Sequence, residues 1–296
     1  MSLASTTGSS RTSVRAGRWR WAWRRLAADR LGFLGFVLVA LFIAAAILAP
    51  WIAPYSPTQI MTGPRLGSPS WAHWLGTDQI GRDLLSRVLL GGRVALTVAF
   101  ATIAAALTIG FALGLAAGFG PVWLDNILVL LFDAVRSFPT IVFGLAVVTL
   151  VGPGLSTIVL VVSVTSIPIY ARIVRTQTQA LRNADYVDAE RVMGAGTLRI
   201  LFVHILPNVV GPLVVLASMD VPLVIATEAG LSFLGLGVRP PMASWGTILN
   251  DGYTFIRNSP WPVIAGSIPI VLVTLGFTFF GEALRDIFDP KLRQDT

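Results

Sequence analysis

The chain has 296 residues, of which 54% are hydrophobic and only 12% are charged, and its mean hydropathy is +0.75. A soluble domain carries about twice that share of charged residues, so the composition excludes an ordinary soluble enzyme and indicates a membrane protein. The sequence has no cysteine and two distant histidines, His73 and His204, which excludes thiolate chemistry and argues against a metal site. The net charge of +7 comes almost entirely from arginine.

Six apolar segments are long enough to cross a bilayer as helices, which takes about 20 mostly apolar residues. They cover residues 31–53, 94–119, 127–151, 155–171, 208–227 and 262–281. Apolar character on every side over such lengths excludes transmembrane β-strands, which alternate over about 10 residues. The sequence therefore predicts an all-α membrane protein with six transmembrane helices. Pro139 and Pro168 each interrupt a span and can bend it.

Basic residues are distributed unequally between the segments that connect these spans. The two termini and the connection between the fourth and fifth spans hold fifteen Arg and Lys residues, whereas the other connections, of equal total length, hold six. The positive-inside rule therefore predicts a multi-pass membrane protein with both termini in the cytoplasm. The expected organisation is a cytoplasmic tail at 1–30, a membrane domain at 31–283, a second cytoplasmic tail at 284–296, and outer segments at 50–93 and 228–261.

The N-terminal tail is rich in serine, threonine and arginine up to about residue 17, which predicts disorder. Trp19, Trp21 and Trp23 then alternate with arginines. Tryptophan prefers the headgroup region and arginine attracts anionic lipid, so we interpret this segment as an anchor on membrane lipid. Nucleic-acid binding is the less favoured interpretation, and no nucleic-acid partner is expected.

Few charged residues lie within the predicted spans. Asp133 and Arg136 are three residues apart, share a helix face and can neutralise each other. Asp220 has no such neighbour, so it is expected to face a cavity or a neighbouring subunit. These three residues are the candidates for polar positions in a transport pathway. A proton-coupled mechanism would depend on Asp220 together with Glu228 and Glu282.

Three glycines recur at every fourth residue of the second span, at Gly110, Gly114 and Gly118. Glycine at this spacing leaves a smooth stripe along a helix, so a second helix can approach closely. We expect this stripe to serve packing within the chain rather than a specific dimer contact.

The connection between the fourth and fifth spans, residues 180–207, has the most informative pattern. Tyr186, Ala189 and Met193 lie at helical spacing and form one apolar stripe, and Gly194 can end the helix. The segment is therefore predicted to be a short amphipathic helix on the cytoplasmic side. Such a helix can lie on the membrane or place its apolar side in the groove of a partner.

This connection resembles the EAA loop of ABC importer permeases, in which Glu-Ala-Ala, a glycine and a terminal Ile-x-Leu-Pro stand at fixed spacing. The matching positions here are Asp188, Ala189, Glu190, Gly194, Leu206 and Pro207. The spacing agrees residue for residue, but the triplet is Asp-Ala-Glu and His204 stands in place of the isoleucine. The resemblance implies that residues 185–196 couple this chain to a cytoplasmic ATPase.

Two further stretches resemble the C-type permease subunit of dipeptide and oligopeptide importers. Residues 73–87 are similar to its first outer-loop signature, and residues 231–246 to its second outer segment. The C-terminal tail from Leu284 to Arg293 is also similar, so the resemblance covers residues from about 25 to 294.

The outer-face motif contains Gly76, Thr77, Asp78, Gly81, Arg82 and Asp83. Its charged and polar side chains are expected to satisfy one another within the loop, with Asp78 or Asp83 paired to Arg82. We favour this structural role over direct contact with a transported solute.

The resemblance implies a bacterial plasma membrane as the location and a type I importer architecture, in which two permease subunits form the pathway. The expected partners are a B-type permease, two ATPase subunits and an extracytoplasmic substrate-binding protein. The chain itself is expected to be non-catalytic and to bind no cofactor, since ATP and magnesium belong to the ATPases. The sequence agrees, because it has no GxxxxGK[ST] phosphate loop. The expected cargo is a dipeptide or an oligopeptide.

Three alternatives stay open at this point. A permease for nickel or another small solute shares much of the same pattern. An ion-coupled secondary carrier would act without an ATPase and would depend on Asp220. A membrane scaffold or sensor would transport nothing.

Overall fold

The computed structural model describes residues 24–288. The expected disorder before residue 17, the tryptophan anchor at 19–23 and the end of the C-terminal tail lie outside these residues. The principal helices are α1 (Arg30–Ile52), α2 (Leu84–Phe119), α3 (Val122–Arg136), α4 (Thr140–Val151), α5 (Leu155–Arg182), α6 (Asp185–Val192), α7 (Leu206–Phe233), α8 (Trp245–Thr254) and α9 (Trp261–Phe288). The described part of the chain has no named strand, which confirms the all-α class.

Within the described residues, five helices are long and apolar enough to cross a membrane: α1, α2, α5, α9, and α7 together with the turns that precede it. The sixth predicted span, 127–151, is not one straight helix, because α3 and α4 meet at an angle of 86°. Pro139 lies at the break, where its missing N–H and its ring interrupt the helix. Pro168, by contrast, lies inside the continuous helix α5.

The second and fourth spans, helices α2 and α5, exceed their apolar runs by the most. Helix α2 begins at Leu84 rather than at residue 94, because the Asp83 side chain caps it by accepting from the Ser86 N–H at 2.8 Å. Helix α5 continues to Arg182 rather than ending at residue 171. Its additional arginines, Arg172 and Arg175, each bond an aspartate of α3, so their charges do not end the helix.

The glycine stripe of α2 packs against α5. A Cβ atom added at Gly114 would lie 2.5 Å from the carbonyl oxygen of Ala171, and one at Gly118 would lie 2.7 Å from Thr178 Cβ. Gly110 is equally close to Tyr170. The prediction that the stripe serves packing within the chain is confirmed.

Helix α8 lies across the beginning of α2. The Trp245 ring is buried, and its indole Nε1 donates to the carbonyl of Val88 at 2.9 Å. Gly91 and Gly92 leave room for the ring. A Cβ atom would lie 3.1 Å from the ring at Gly91 and 3.0 Å from it at Gly92. The two predicted outer segments therefore pack on each other at one end of the bundle.

We expect Gly114→Leu to lower the free energy of unfolding by about 1–3 kcal/mol, because the side chain must separate α2 from the α5 backbone. Gly230→Leu is the matched control, since Gly230 also lies inside a helix but nothing lies within 4 Å of its Cβ position. Thermal unfolding in detergent measures both. Equal stability of the two variants would contradict the close approach of α2 and α5.

Candidate functional site

A buried cluster of charges lies beside the first turns of α2. The Asp78 carboxylate is fully buried, and its Oδ2 accepts from Arg82 Nε and Arg87 Nη1, both at 2.6 Å. Asp251 of α8 accepts from Nη2 of the same two arginines at 3.2 and 3.1 Å. The predicted Asp78–Arg82 pair is confirmed. The sequence analysis missed Arg87 and Asp251 as members of this cluster, which ties the two outer segments together.

Asp83 does not pair with Arg82. Its Oδ1 lies 2.9 Å from His73 Nδ1, while its Oδ2 accepts from the backbone N–H and the hydroxyl of Ser86. The Tyr55 ring lies against the imidazole, with centroids 5.0 Å apart. Asp83 therefore holds the outer loop to the first turn of α2, which is a structural role.

The other residues of the outer-face motif shape the loop. Gly76 and Gly81 have φ angles of +84° and +76°, a region that disfavours residues with a Cβ atom. The Thr77 hydroxyl accepts from the Gly67 N–H at 2.9 Å and donates to the carbonyl of Pro64. Thr77 and Asp78 are fully buried, and Asp83 is 1% exposed. These side chains serve the fold of the loop and are not presented to a solute.

The predicted amphipathic helix is α6, and its apolar stripe is exposed, although the Tyr186 ring also lies 6.3 Å from the His204 ring, centre to centre. Tyr186 and Met193 are 43% and 72% exposed, and Ala189 is exposed as well. Val187 is the buried residue of this helix. Gly194 has a φ angle of +84° just beyond the end of the helix, as expected for a glycine that terminates it.

Helix α6 is attached to two spans. Glu190 Oε1 lies 3.3 Å from His204 Nε2, in the π-helical turns Ile200–Ile205 that precede Leu206 and Pro207 at the beginning of α7. The Arg191 guanidinium lies 5.9 Å from the centre of the Phe119 ring at the end of α2. Because α2 has 36 residues, or about 54 Å of helix, α6 and the buried cluster lie at opposite ends of one long helix.

The polar residues within the spans have different partners from those expected. Asp133 accepts from Arg172 of α5, so the predicted pair with Arg136 is wrong. Asp220 is buried and accepts from the Tyr170 hydroxyl at 3.2 Å, rather than facing a cavity or another subunit. Sequence spacing favours neighbours on the same helix, whereas both partners are provided by α5.

Charged groups that might hold a metal ion are not brought together in the part of the chain that the structure describes. Among residues 24–288, no group of three or more His, Cys, Asp or Glu side chains has a suitable arrangement. His73 and His204 lie at opposite ends of α2, each beside a single acidic side chain.

Helices long and apolar enough to span a bilayer indicate an integral membrane protein. Residues 110–294 match the family described as the binding-protein-dependent transport system inner membrane component. Residues 17–68 match the N-terminal transmembrane domain of oligopeptide transport permease C. The chain belongs to the binding-protein-dependent transport family of inner membrane components.

Curated relatives agree over almost the whole length. The dipeptide transport system permease protein DppC of Alkalihalophilus pseudofirmus is 38% identical over 93% of this chain and 90% of its own length. The glutathione transport system permease protein GsiD of Pectobacterium atrosepticum is 40% identical over 93% and 92%. The di/tripeptide transport system permease protein DppC of Pseudomonas aeruginosa is 38% identical over 92% and 91%.

A solved structure has the same fold. A chain of the MetNI methionine ABC transporter in an inward-facing conformation aligns with a TM-score of 0.55 and 21% identity, covering 69% of this chain and 96% of that one. The predicted architecture, that of a type I ABC importer permease, is confirmed. Because the chain belongs to this family, the alternative hypotheses of an ion-coupled secondary carrier and of a scaffold or sensor are set aside.

We expect Asp78→Asn to lower the free energy of unfolding by about 3–5 kcal/mol, because it leaves Arg87 buried without its closest countercharge. Asp188→Asn removes an exposed partner of Arg191 instead, which costs about 0.5 kcal/mol or less. Thermal unfolding in detergent compares the two. If Asp78→Asn loses no more free energy of unfolding than Asp188→Asn, the cluster does not hold the two outer segments together.

Proposed function

We propose that this chain is one permease subunit of an ATP-driven importer of short peptides. The observation that carries this proposal is identity of 38–40% over more than nine tenths of the chain to permeases named for dipeptides, di/tripeptides and glutathione, itself a tripeptide. A nickel or other small-solute importer of the same family is the alternative. Uptake assays with both kinds of cargo distinguish them.

The proposed complex contains a B-type permease, two ATPase subunits and an extracytoplasmic binding protein. The present chain forms half of the pathway, with both termini and α6 in the cytoplasm and the buried cluster outside. The excess of arginine in the termini and around α6 supports this orientation. ATP and magnesium are bound by the ATPases, since this sequence has no phosphate loop.

The exposed stripe of α6 is the surface that we expect the ATPase to cover. Val192 and Met193 are 89% and 72% exposed, and Tyr186 is 43% exposed. Burial of one such apolar side chain contributes about 1.5–3 kcal/mol, so this short helix offers a strong contact for its size. ATP-driven closure of the ATPases then moves α6, and with it the ends of α2 and α7.

The direct test is uptake by proteoliposomes that hold this chain with its partner permease, ATPases and binding protein. We expect uptake of a labelled dipeptide that requires ATP and the binding protein. ATP-dependent uptake of nickel without uptake of dipeptides would establish the alternative, and uptake without ATPases would contradict both.

Gly194→Asp is expected to reduce uptake about tenfold while insertion and complex assembly are unchanged, a factor that corresponds to 1.4 kcal/mol. Aspartate at a φ of +84° strains the turn that sets the direction of the α6 end, although nothing lies within 4 Å of the Cβ position. Gly196→Asp is the control, because Gly196 has a φ of −69° and equal free space. Equal uptake by both variants would contradict a role of this turn in coupling.

A further inference from the structure

Three charged residues near the break between α3 and α4 are exposed on this chain. The side chains of Asp133 on α3 and Arg172 on α5 are 58% and 45% exposed even though they pair with each other. Arg136, one turn further along α3, is exposed and makes no ion pair within residues 24–288. By comparison, the Asp125–Arg175 pair between the same two helices is 15% and 28% exposed.

Both helices place the Asp133–Arg172 pair at a similar depth. At 1.5 Å per residue, Asp133 lies about 16 Å along α3 from Val122, and Arg172 about 15 Å along α5 from Arg182. Those two ends are adjacent, because Arg182 Nη1 donates to the carbonyl of Gly120 at 3.4 Å. At about 42 Å, α5 is longer than a hydrocarbon layer about 30 Å thick, and its polar Arg182 end projects from the layer. The pair therefore lies near the edge of the layer, and the break that follows α3 lies deeper.

The break between α3 and α4 is exposed beside these charges. Ser137, Phe138 and Pro139 separate two helices that meet at 86°, and all three residues are exposed. Non-helical backbone at membrane depth occurs where it is covered by protein or lines a water-filled cavity, because lipid offers no hydrogen bonds. The exposed Arg136 guanidinium directly beside this break is subject to the same constraint. This face of the chain therefore does not face lipid.

We propose that the face formed by Asp133, Arg136, Arg172 and the break at 137–139 lines the transport pathway and contacts the charged termini of the peptide. The proposal rests on the proposed function, since a short peptide is a cargo with one ammonium and one carboxylate. Guanidinium groups donate paired hydrogen bonds to a carboxylate, and the Asp133 carboxylate accepts from an ammonium. Every unmodified peptide has these two groups, so the site suits a pathway that accepts varied side chains.

Water access is tested by single cysteines, because the chain has none of its own. In the assembled transporter we expect Ser137→Cys to react with a membrane-impermeant thiol reagent, and a saturating dipeptide delivered by the binding protein to slow the reaction. Leu41→Cys in α1, an exposed apolar position, is the lipid-facing control and should stay unmodified. If Ser137→Cys is as unreactive as Leu41→Cys, the face is covered by the second permease and the proposal is wrong.

A charge exchange separates peptide contact from a simple link between α3 and α5. We expect Asp133→Asn and Arg172→Gln each to reduce dipeptide uptake about tenfold. The exchange Asp133→Arg with Arg172→Asp should restore thermal stability, because the ion pair is re-formed, but uptake should stay low. Recovery of uptake to the wild-type rate would show that the pair only joins the helices.

Arg136 offers an independent readout. Arg136→Gln should reduce uptake of a free-acid dipeptide more than uptake of its C-terminal amide, each rate being divided by the wild-type rate for the same compound. Arg257→Gln, at an exposed arginine of the outer segment, is the control and should change neither ratio. An equal reduction for the acid and the amide would overturn carboxylate recognition. Absence of dipeptide uptake by the wild-type transporter would instead refute the proposed function.

Discussion

The close contact between α2 and α5 is the interaction on which the rest of the structure depends. Three glycines let the two backbones approach so closely that a Cβ atom at Gly114 would lie 2.5 Å from the Ala171 carbonyl oxygen of α5. In a membrane this packing replaces the hydrophobic driving force, which apolar lipid does not supply between helices. Because α2 is a single helix of 36 residues, it also joins the buried cluster at its first turn to Phe119 and α6 at its last.

Charges inside the bundle are tolerated because another segment supplies the partner. Asp78 and Arg87 are almost completely buried together, and Asp125 accepts from Arg175 with a second bond at 2.7 Å. Removing such ions from water costs more free energy than their attraction returns, unless the geometry is good. Their main effect is therefore to specify which segments pack together, rather than to add stability. In this chain they fix the two outer segments to each other and α3 to α5.

The sequence predicts the spans well because long apolar runs have few alternatives, but it does not predict where the helices end. Charge at Arg172 marks the end of an apolar run, whereas the helix continues because α3 places Asp133 beside it. Asp251 belongs to the cluster of Asp78 although more than half of the chain separates them, so no local pattern connects the two. Pro139 indicates a possible bend, but packing of α3 and α4 on other helices sets its angle.

Two helices, α2 and α7, connect the two ends of the bundle. At one end, α6 contacts α2 through Arg191 and α7 through the turn that contains His204. At the other end, α8 contacts α2 through Trp245 and α7 through Gly246, whose Cβ position lies 2.7 Å from Ser232 Cβ. A displacement of α6 that shifts α2 relative to α7 must therefore be accommodated at α8. If α6 binds an ATPase as proposed, nucleotide binding can shift these four helices only when their two arrangements differ in affinity for the ATPase. By reciprocity, a ligand that binds at the α8 end then biases α6 by the same free energy.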